Sequence, residues 1–398
     1  MKLGLILAID TSCDDTSVAV TCGTQVLSNV IASQTQLHKP YGGVFPTVAK
    51  LAHRENIDKT VAIALKRAHV SMADIAALAV TVGPGLAPAL EVGIAAAKAL
   101  AQTHAKPLIA CNHLEGHLLS VLAEPLSGSA RKQAFSTTLL EQDQLLLPAD
   151  DLKVKLPALS LIISGGNTLF VLVKDVGTYE VLGRTLDDAA GECLDKIGRM
   201  LNLGYPAGPV MEEFARLGNK DAYPFPLPLT TVKTYDVSFS GMKTFARNLL
   251  DTLTAERPLN RQEMYDFCAS AQQGVFRHIC YKLTKILEDL YAQAYTKNYA
   301  NVAFSSQQNK DFAVQGVWLG GGVAANMTLR KMLRDTLRNF TQKNSLTSLR
   351  LRTPYTKRLC ADNAAMIGVV AGVTEKIRFT VENLAFVERA PRLPLDGN

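Results

Sequence analysis

The first thirty residues run as short apolar stretches separated by small polar ones: LGLILAID, TSCDDT, SVAVTC and TQVLSNVIA. Aliphatic and β-branched runs bounded by turn-forming clusters predict strand, tight turn, strand and strand. The same shape recurs further along the chain as LPALSLII, SGGNT, LFVLVKDV and TYEVLGRT. Two copies of a hairpin plus a third strand, each followed by helical stretches, predict two similarly built α/β lobes. Helical composition covers 53–70, 94–102, 113–123, 191–200, 210–217, 261–294 and 327–340. The strand-like VQGVWL leads into Gly320, Gly321 and Gly322 and then a helix, a bare backbone that a ligand can approach closely. Residues 127–156 are polar and poorly periodic, and read as an insertion.

Composition narrows the class. Of the 398 residues, 47% are hydrophobic and 20% charged, enough apolar material for a large core and too much for a disordered tail. The most apolar stretch, 75–100, is interrupted by Gly83, Pro84, Gly85, Pro88 and Glu91. It therefore falls short of the roughly 18 unbroken residues that a membrane span needs. Seven scattered cysteines without a C-x-x-C pair argue against a disulfide scaffold and a cysteine zinc site. No signal-peptide pattern opens the chain, so the expectation is a soluble protein of a reducing, cytoplasmic compartment. Net charge is +6, yet 330–358 holds nine basic residues against Asp335, which makes that segment +8 and the rest −2. Arg330, Arg334 and Arg338 recur every four residues, a helix ridge suited either to a polyanion or simply to solvent.

Several residues have chemistry in their spacing. His113 and His117 in NHLEGH lie four apart, so a helix puts both imidazoles on one face, as two nitrogen ligands of a divalent metal require. Glu115 projects from another face, so the general base of an H-E-x-x-H protease is missing. Asp362, in CADNAAMIG, is a candidate third ligand, though it is also a good helix N-cap. Asp10, Asp14 and Asp15 follow a strand that should be buried and can hold a metal, orient water or take a proton, or serve only as Asx-turn residues. Asp195 and Glu212 flank GYPAGP, where carboxylates suit ribose hydroxyls. The TSCDDT and SGGNT turns can turn backbone amides toward a phosphate in a cleft between the lobes.

Taken together these segments resemble the tRNA adenosine threonylcarbamoyltransferase family. The resemblance rests on DTSCDDT, YGGVFP, GPGL, NHLEGH, SGGNT, LDDAAGECLDK, GYPAGP, FSGMKT, GGVAAN and DNAAMI, in that order along the chain. It implies the actin-like, sugar-kinase-like fold of two ribonuclease-H-type lobes with an interlobe nucleotide cleft. The lobes are expected at 1–118 with 368–398 and at 119–367, with 127–156, 301–310 and 340–352 as surface insertions. The implied activity moves threonylcarbamoyl from threonylcarbamoyl-AMP to N6 of adenosine 37 in tRNAs that read codons beginning with adenine. The implied metal ligands are His113, His117 and Asp362, holding one divalent ion, iron first and zinc as the alternative. Ile163, Ser164, Gly165, Gly166, Asn167, Asp195, Gly208, Glu212, Gly321, Gly322 and Asn326 fall at positions that bind ATP, ADP or the adenylate. Asp14 and Asp15 fall at the acidic positions by the reacting group, and the ridge at Arg330, Arg334 and Arg338 would meet tRNA. Accessory subunits of the bacterial type, a paralogue scaffold and a small ATPase, are the implied partners, with a homodimer also open. In this chain Asp10 and Asp15 stand where many members have Glu, Ala207 where Gly is usual, and Asn167 where bacterial members commonly have His. Two other functions fit the fold: a small-molecule kinase or ATPase, which has no need of the histidine pair, and a non-catalytic scaffold.

Overall fold

The computed structural model describes residues 4–126, 147, 152–299, 314–346 and 349–396. They form two compact units, 1–154 with 353–398, and 155–352. Residues 119–126 and 353–367, expected in the second lobe, group with the first. The reason is hydrogen bonding: Gln25 pairs with Glu124 in a sheet, and the Ala364 amide donates to Ser17 Oγ at 2.8 Å.

The first unit is built on a seven-stranded sheet. Its strands are β1 (Leu5–Asp10), β2 (Asp15–Cys22), β3 (Gln25–Ser33), β4 (Ile75–Gly83), β5 (Leu108–Asn112), β6 (Glu124–Pro125) and β12 (Arg378–Phe379), in the order β12-β5-β4-β1-β2-β3-β6. β1, β2 and β3 are the predicted antiparallel trio, while β4 and β5 join β1 in parallel. A short helix α1 (Thr35–His38) precedes α2 (Pro46–Ala68) and α3 (Ala87–His104), and α4 (His113–Leu119) starts where β5 stops. The core joins Leu7, Ile9, Val18, Val20, Leu78 and Val80 of the sheet to Ile57 and Val61 of α2 and Leu90 of α3, all nearly inaccessible. Burial of such aliphatic side chains, at about 1.5–3 kcal/mol each, is the main force on this unit. β1, β4 and β5 run in the same direction, so Asp10, Gly83 and Asn112 all end at the carboxyl edge of the sheet, where ligands of open α/β sheets bind.

The second unit repeats the plan with five strands. β7 (Ala158–Ile163), β8 (Thr168–Asp175) and β9 (Thr178–Arg184) form the antiparallel trio, and β10 (Val317–Gly320) lies parallel to β7 with β11 (Leu351–Arg352) outside it. The same strand pattern in both units is the pair of similarly built lobes predicted from the sequence shapes, and the actin-like, sugar-kinase-like plan that the family resemblance implies. Among the described residues five α-helices accompany the sheet: α5 (Ala190–Met200), α6 (Gly208–Ala215), α7 (Ser240–Leu253), α8 (Arg261–Tyr299) and α9 (Met327–Lys343).

The expected surface insertion at 340–352 is corrected. Phe340 and Thr341 are buried at the end of α9, and Leu351–Arg352 pairs with β10, so these residues belong to the architecture. The insertion expected at 301–310 lies outside the described residues, as does all of 127–156 except Leu147 and 152–156. No helix among the described residues is long and apolar enough to cross a membrane, and the seven cysteines are all free.

One glycine in this unit has no substitute. Gly321 has φ +90°, and a Cβ there would sit 2.4 Å from the Ile163 carbonyl oxygen. Both the left-handed backbone and the backbone contact penalise a side chain. Gly321→Ala is expected to lose about 1–3 kcal/mol of stability, read from the midpoint of denaturant unfolding.

Candidate functional site

In the first unit the site is built on the junction of β5 and α4. Asn112 ends β5 and caps α4, its Oδ1 accepting from the amides of Leu114 at 2.8 Å and Glu115 at 3.3 Å. The helix therefore starts at His113, and the four-residue spacing places His113 and His117 with ring centroids 4.7 Å apart. Gly116 between them allows close packing on α10 (Ala364–Val373), because a Cβ there would lie 2.9 Å from Met366 Cγ. The N-cap of α10 is Asn363, whose side chain accepts from the Met366 amide at 3.2 Å. Asp362, one residue earlier, is thus relieved of capping and points its Oδ1 at the histidines, 3.5 Å from His113 Nε2 and 3.1 Å from His117 Nε2.

These three residues fit a metal ion. A tetrahedral ion with bonds of 2.0–2.1 Å holds its ligand atoms about 3.4 Å apart, close to the two separations found. The ligand atoms of the set all lie within 4.8 Å of one another. His117 is fully buried, and neither of its ring nitrogens has a hydrogen-bond partner, nor has His113 Nδ1. Two buried imidazoles whose Nε2 atoms converge on one carboxylate oxygen, with His117 Nδ1 left without a partner, are the mark of a ligand site, because buried polar atoms are almost always satisfied.

Charge makes the same point. Burial alone would lower the His113 pKa, but the carboxylates of Asp362 and Asp10 outweigh it and raise it to about 10. Burial would raise that of Asp362, and the two imidazoles instead hold it far below the carboxylate range. The site thus attracts a cation strongly. Without a metal it keeps a proton, which adds stability that is complete below the ordinary histidine pKa of about 6.5 and is lost as pH rises toward 10.

Behind His113 lies Asp10, buried at the tip of β1, with Oδ1 3.6 Å from His113 Nδ1. Ser12 steadies it through its amide and hydroxyl, each at 3.3 Å. A carboxylate on the far nitrogen of a ligating imidazole orients the ring. Asp10→Asn is expected to weaken metal affinity 10- to 100-fold in a chelator competition titration while leaving the fold intact.

Asp14 and Asp15 sit in the turn next to this cluster. Burial raises both pKa values, that of Asp15 to about 6 against a hydrogen bond from Ser33, with the neighbouring carboxylates adding to the rise. Asp15 Oδ1 is buried and unpartnered. His53 of α2, which lies in no sequence motif, fixes this turn. Its Nε2–H donates to the Cys13 carbonyl at 3.0 Å, so its Nδ1 accepts from Thr16 Oγ1 at 2.8 Å. Burial holds that ring neutral. Glu115 is turned away from the histidines, as its spacing predicts, and forms a buried ion pair with Lys376 at 2.8 Å.

The second unit gathers the other predicted residues around the end of β7. After Ile163, Ser164 Oγ accepts from the amides of Gly166 at 3.3 Å and Asn167 at 3.0 Å, closing a turn whose Gly165 and Gly166 are exposed. Gly321 backs onto Ile163, and the Gly191 amide of α5 donates to the Ser164 carbonyl at 3.2 Å. Asp195 Oδ1 accepts from Ala207 at 2.9 Å and Gly208 at 2.7 Å, which ties α5 to the start of α6. Glu212 Oε1 accepts from the Met327 amide at 2.9 Å, next to Asn326. Asn326 caps α9 and donates to Gln272 Oε1 at 2.8 Å.

The family model described as TsaD, tRNA N6-adenosine threonylcarbamoyltransferase, matches residues 25–138 and 139–369. The chain belongs to this family. It is 39% identical over 371 residues to the tRNA N6-adenosine threonylcarbamoyltransferase of Nostoc punctiforme, across 92% of this chain and 90% of the relative. The protein of that name from Endomicrobium trichonymphae is 39% identical over 398 residues, 98% of each chain. That of Clostridioides difficile is 40% identical over 366 residues, 92% of this chain and 91% of the relative. Among solved structures, the (R)-2-hydroxyglutaryl-CoA dehydratase component A of Acidaminococcus fermentans aligns over 96% of this chain and 99% of its own at 12% identity, with a TM-score of 0.45.

Two expectations from the sequence of this member of the threonylcarbamoyltransferase family meet the structure here. Ala207 has helical dihedrals that any residue adopts, and its methyl lies over Gly198, where a second Cβ would come within 2.4 Å. The expected ridge on α9 is corrected: Arg330 is buried with its Nε donating to the Ala324 carbonyl at 2.6 Å, which leaves only Arg334 and Arg338 exposed.

Proposed function

We propose that the chain transfers the threonylcarbamoyl group from threonylcarbamoyl-AMP to N6 of adenosine 37 in tRNAs that read codons beginning with adenine. This is the finer form of the tRNA N6-adenosine threonylcarbamoyltransferase activity that membership of the family carries. The observation that supports it most is the His113, His117 and Asp362 set, in which two buried imidazoles present Nε2 to one carboxylate oxygen, in a chain of this family.

In this reading the N6 lone pair of adenosine attacks the carbamoyl carbon, the bond from that carbon to the phosphate oxygen breaks, and AMP departs. A proton leaves N6 in the same step. Asp15 takes it, because one of its oxygens is buried and unpartnered and its raised pKa makes it a better acceptor than an ordinary aspartate. Asp14 lies beside it and orients the amine. His113, His117 and Asp362 would hold a divalent cation, iron or zinc, and that ion would supply Lewis-acid polarisation of the transferred group.

The second unit binds the nucleotide. Gly165, Gly166 and Asn167 offer amides to the phosphate, and two of these amides now rest on Ser164 Oγ, an acceptor that a phosphate oxygen replaces. Asp195 and Glu212 face the ribose side, and Gly208, Gly321, Gly322 and Asn326 complete the cradle. Accessory subunits of the bacterial type and a cytoplasmic setting belong to the same reading.

The test is nucleoside mass analysis of a tRNA transcript after incubation with threonylcarbamoyl-AMP. A transcript with adenosine at position 37 should gain the threonylcarbamoyl mass and one with guanosine there should not. Equal modification of both would refute the choice of acceptor.

A further inference from the structure

Two motifs remain largely unused by this chemistry: LDDAAGECLDK, apart from Asp195, and FSGMKT. The structure brings them together. α5 and α7 pack side by side and leave a groove of about 660 Å³ whose lining includes Lys196, Arg199, Lys243 and Arg247, with Ser240 and Thr244 among them. The spacing explains the lining. Positions 196 and 199 on α5, and 240, 243, 244 and 247 on α7, each recur at three or four residues and so form one stripe per helix.

The stripes are held in place by two adjacent aspartates. Asp187 takes hydrogen bonds from the Phe239 amide at 2.7 Å, the Ser240 amide at 3.2 Å and the Ser238 hydroxyl, which fixes the start of α7. Asp188 bridges the helices through Lys196 at 2.9 Å and Lys243. Glu192 also pairs with Lys196, at 2.8 Å. The charged residues that line the groove are all basic, Lys196, Arg199, Lys243 and Arg247, while Asp187, Asp188 and Glu192 flank it and Asp195 lies near Arg199. Arg199 and Arg247 at its mouth are exposed, and Arg247 makes no ion pair among the described residues. The amides that open α7 are spent on Asp187, so attraction for an anion resides in side chains.

We propose that this groove grips the sugar–phosphate backbone of the RNA substrate, an inference that rests on the functional reading above. Its long cationic side chains and open hydroxyls suit phosphates at several positions, and it has no exposed aromatic surface for stacking a base. Such contacts set the position of the RNA and not its sequence. The surface expected to meet RNA on α9 is the weaker candidate, since Arg330 is buried and Arg338 is paired with Asp335 at 3.4 Å.

The experiment is fluorescence anisotropy of a labelled, unmodified tRNA across a salt series, for wild type, Arg199→Ala/Arg247→Ala and Arg334→Ala/Arg338→Ala. Loss of two phosphate contacts should flatten the slope of log affinity against log salt by about 2 and weaken binding roughly tenfold or more at physiological salt. AMP affinity and melting temperature should stay at wild-type values, and the α9 pair should bind as wild type does. A groove variant with wild-type slope and affinity, a change confined to the α9 pair, or a loss confined to AMP would overturn the proposal. A wild type that binds no tRNA even with accessory subunits present overturns the functional reading along with it, whereas bound wild type with an unaltered groove variant overturns the groove alone.

Discussion

His113→Ala/His117→Ala should reduce bound metal from one ion per chain to none and abolish transfer. Both imidazoles are buried, both present Nε2 to the same Asp362 oxygen, and the single carboxylate left behind is a poor site for a transition metal. Losing Lewis-acid stabilisation worth several kcal/mol lowers the rate by about a thousandfold or more. Metal content by atomic emission and transfer rate should fall together. The wild-type site makes a second, independent demand. Because His113 carries a proton up to about pH 10 in the metal-free protein, each ion that binds must displace one. Metal affinity should therefore rise by about a decade per pH unit between about pH 6 and 8. A double variant that keeps both metal and activity would remove the site from the mechanism.

Asp15→Asn is expected to have the second-largest effect. A positioned general base contributes about 10²- to 10⁴-fold, so the variant should lose that much in kcat with binding of the adenylate unchanged. The sign of the pH dependence follows from the raised pKa. Only ionised Asp15 accepts a proton, so wild-type kcat/KM should climb as pH rises through about 6, and at a lower pH if a nearby cation stabilises the carboxylate. The asparagine variant should have no such limb. Stability moves the other way. A carboxyl whose pKa is raised by folding destabilises the protein as pH climbs from about 4 to 6, so the variant should melt higher than wild type at neutral pH. A variant that is both less stable and unchanged in its pH profile would assign Asp15 a purely structural part.

The histidine pair was legible because its chemistry depends only on helical spacing, and the helix is set by the adjacent Asn112 cap. The paired strand trios were legible for a similar reason, since tight hairpins join sequence neighbours. Asp362 was ambiguous between ligand and cap, and one neighbouring residue decided it: Asn363 takes the cap and frees Asp362. The role of Asp10 against His113 depends on β5 lying on the far side of β4 from β1, a crossover that no local pattern encodes. Strands β4 and β5 carry no alternation, because strands covered on both faces read as unbroken apolar runs. The arginine ridge failed because periodicity shows which residues share a stripe but not what lies beneath it. Arg330 flanks the buried Leu329, Leu333 and Leu337 and is drawn inward with them to the Ala324 carbonyl. The groove between α5 and α7 is assembled from segments about fifty residues apart through Asp187 and Asp188, and nothing in either segment alone announces it.

The most direct measurement follows threonylcarbamoyl labelled in its threonine portion from the adenylate into tRNA. It compares wild type with His113→Ala/His117→Ala, each alone and with accessory subunits present. Label in tRNA with the wild type, absent with the double variant, is the result expected of a metal-dependent transferase. No label in tRNA under any condition, from a folded chain that instead hydrolyses ATP or phosphorylates a small molecule, would contradict it and make the kinase-like function the better account.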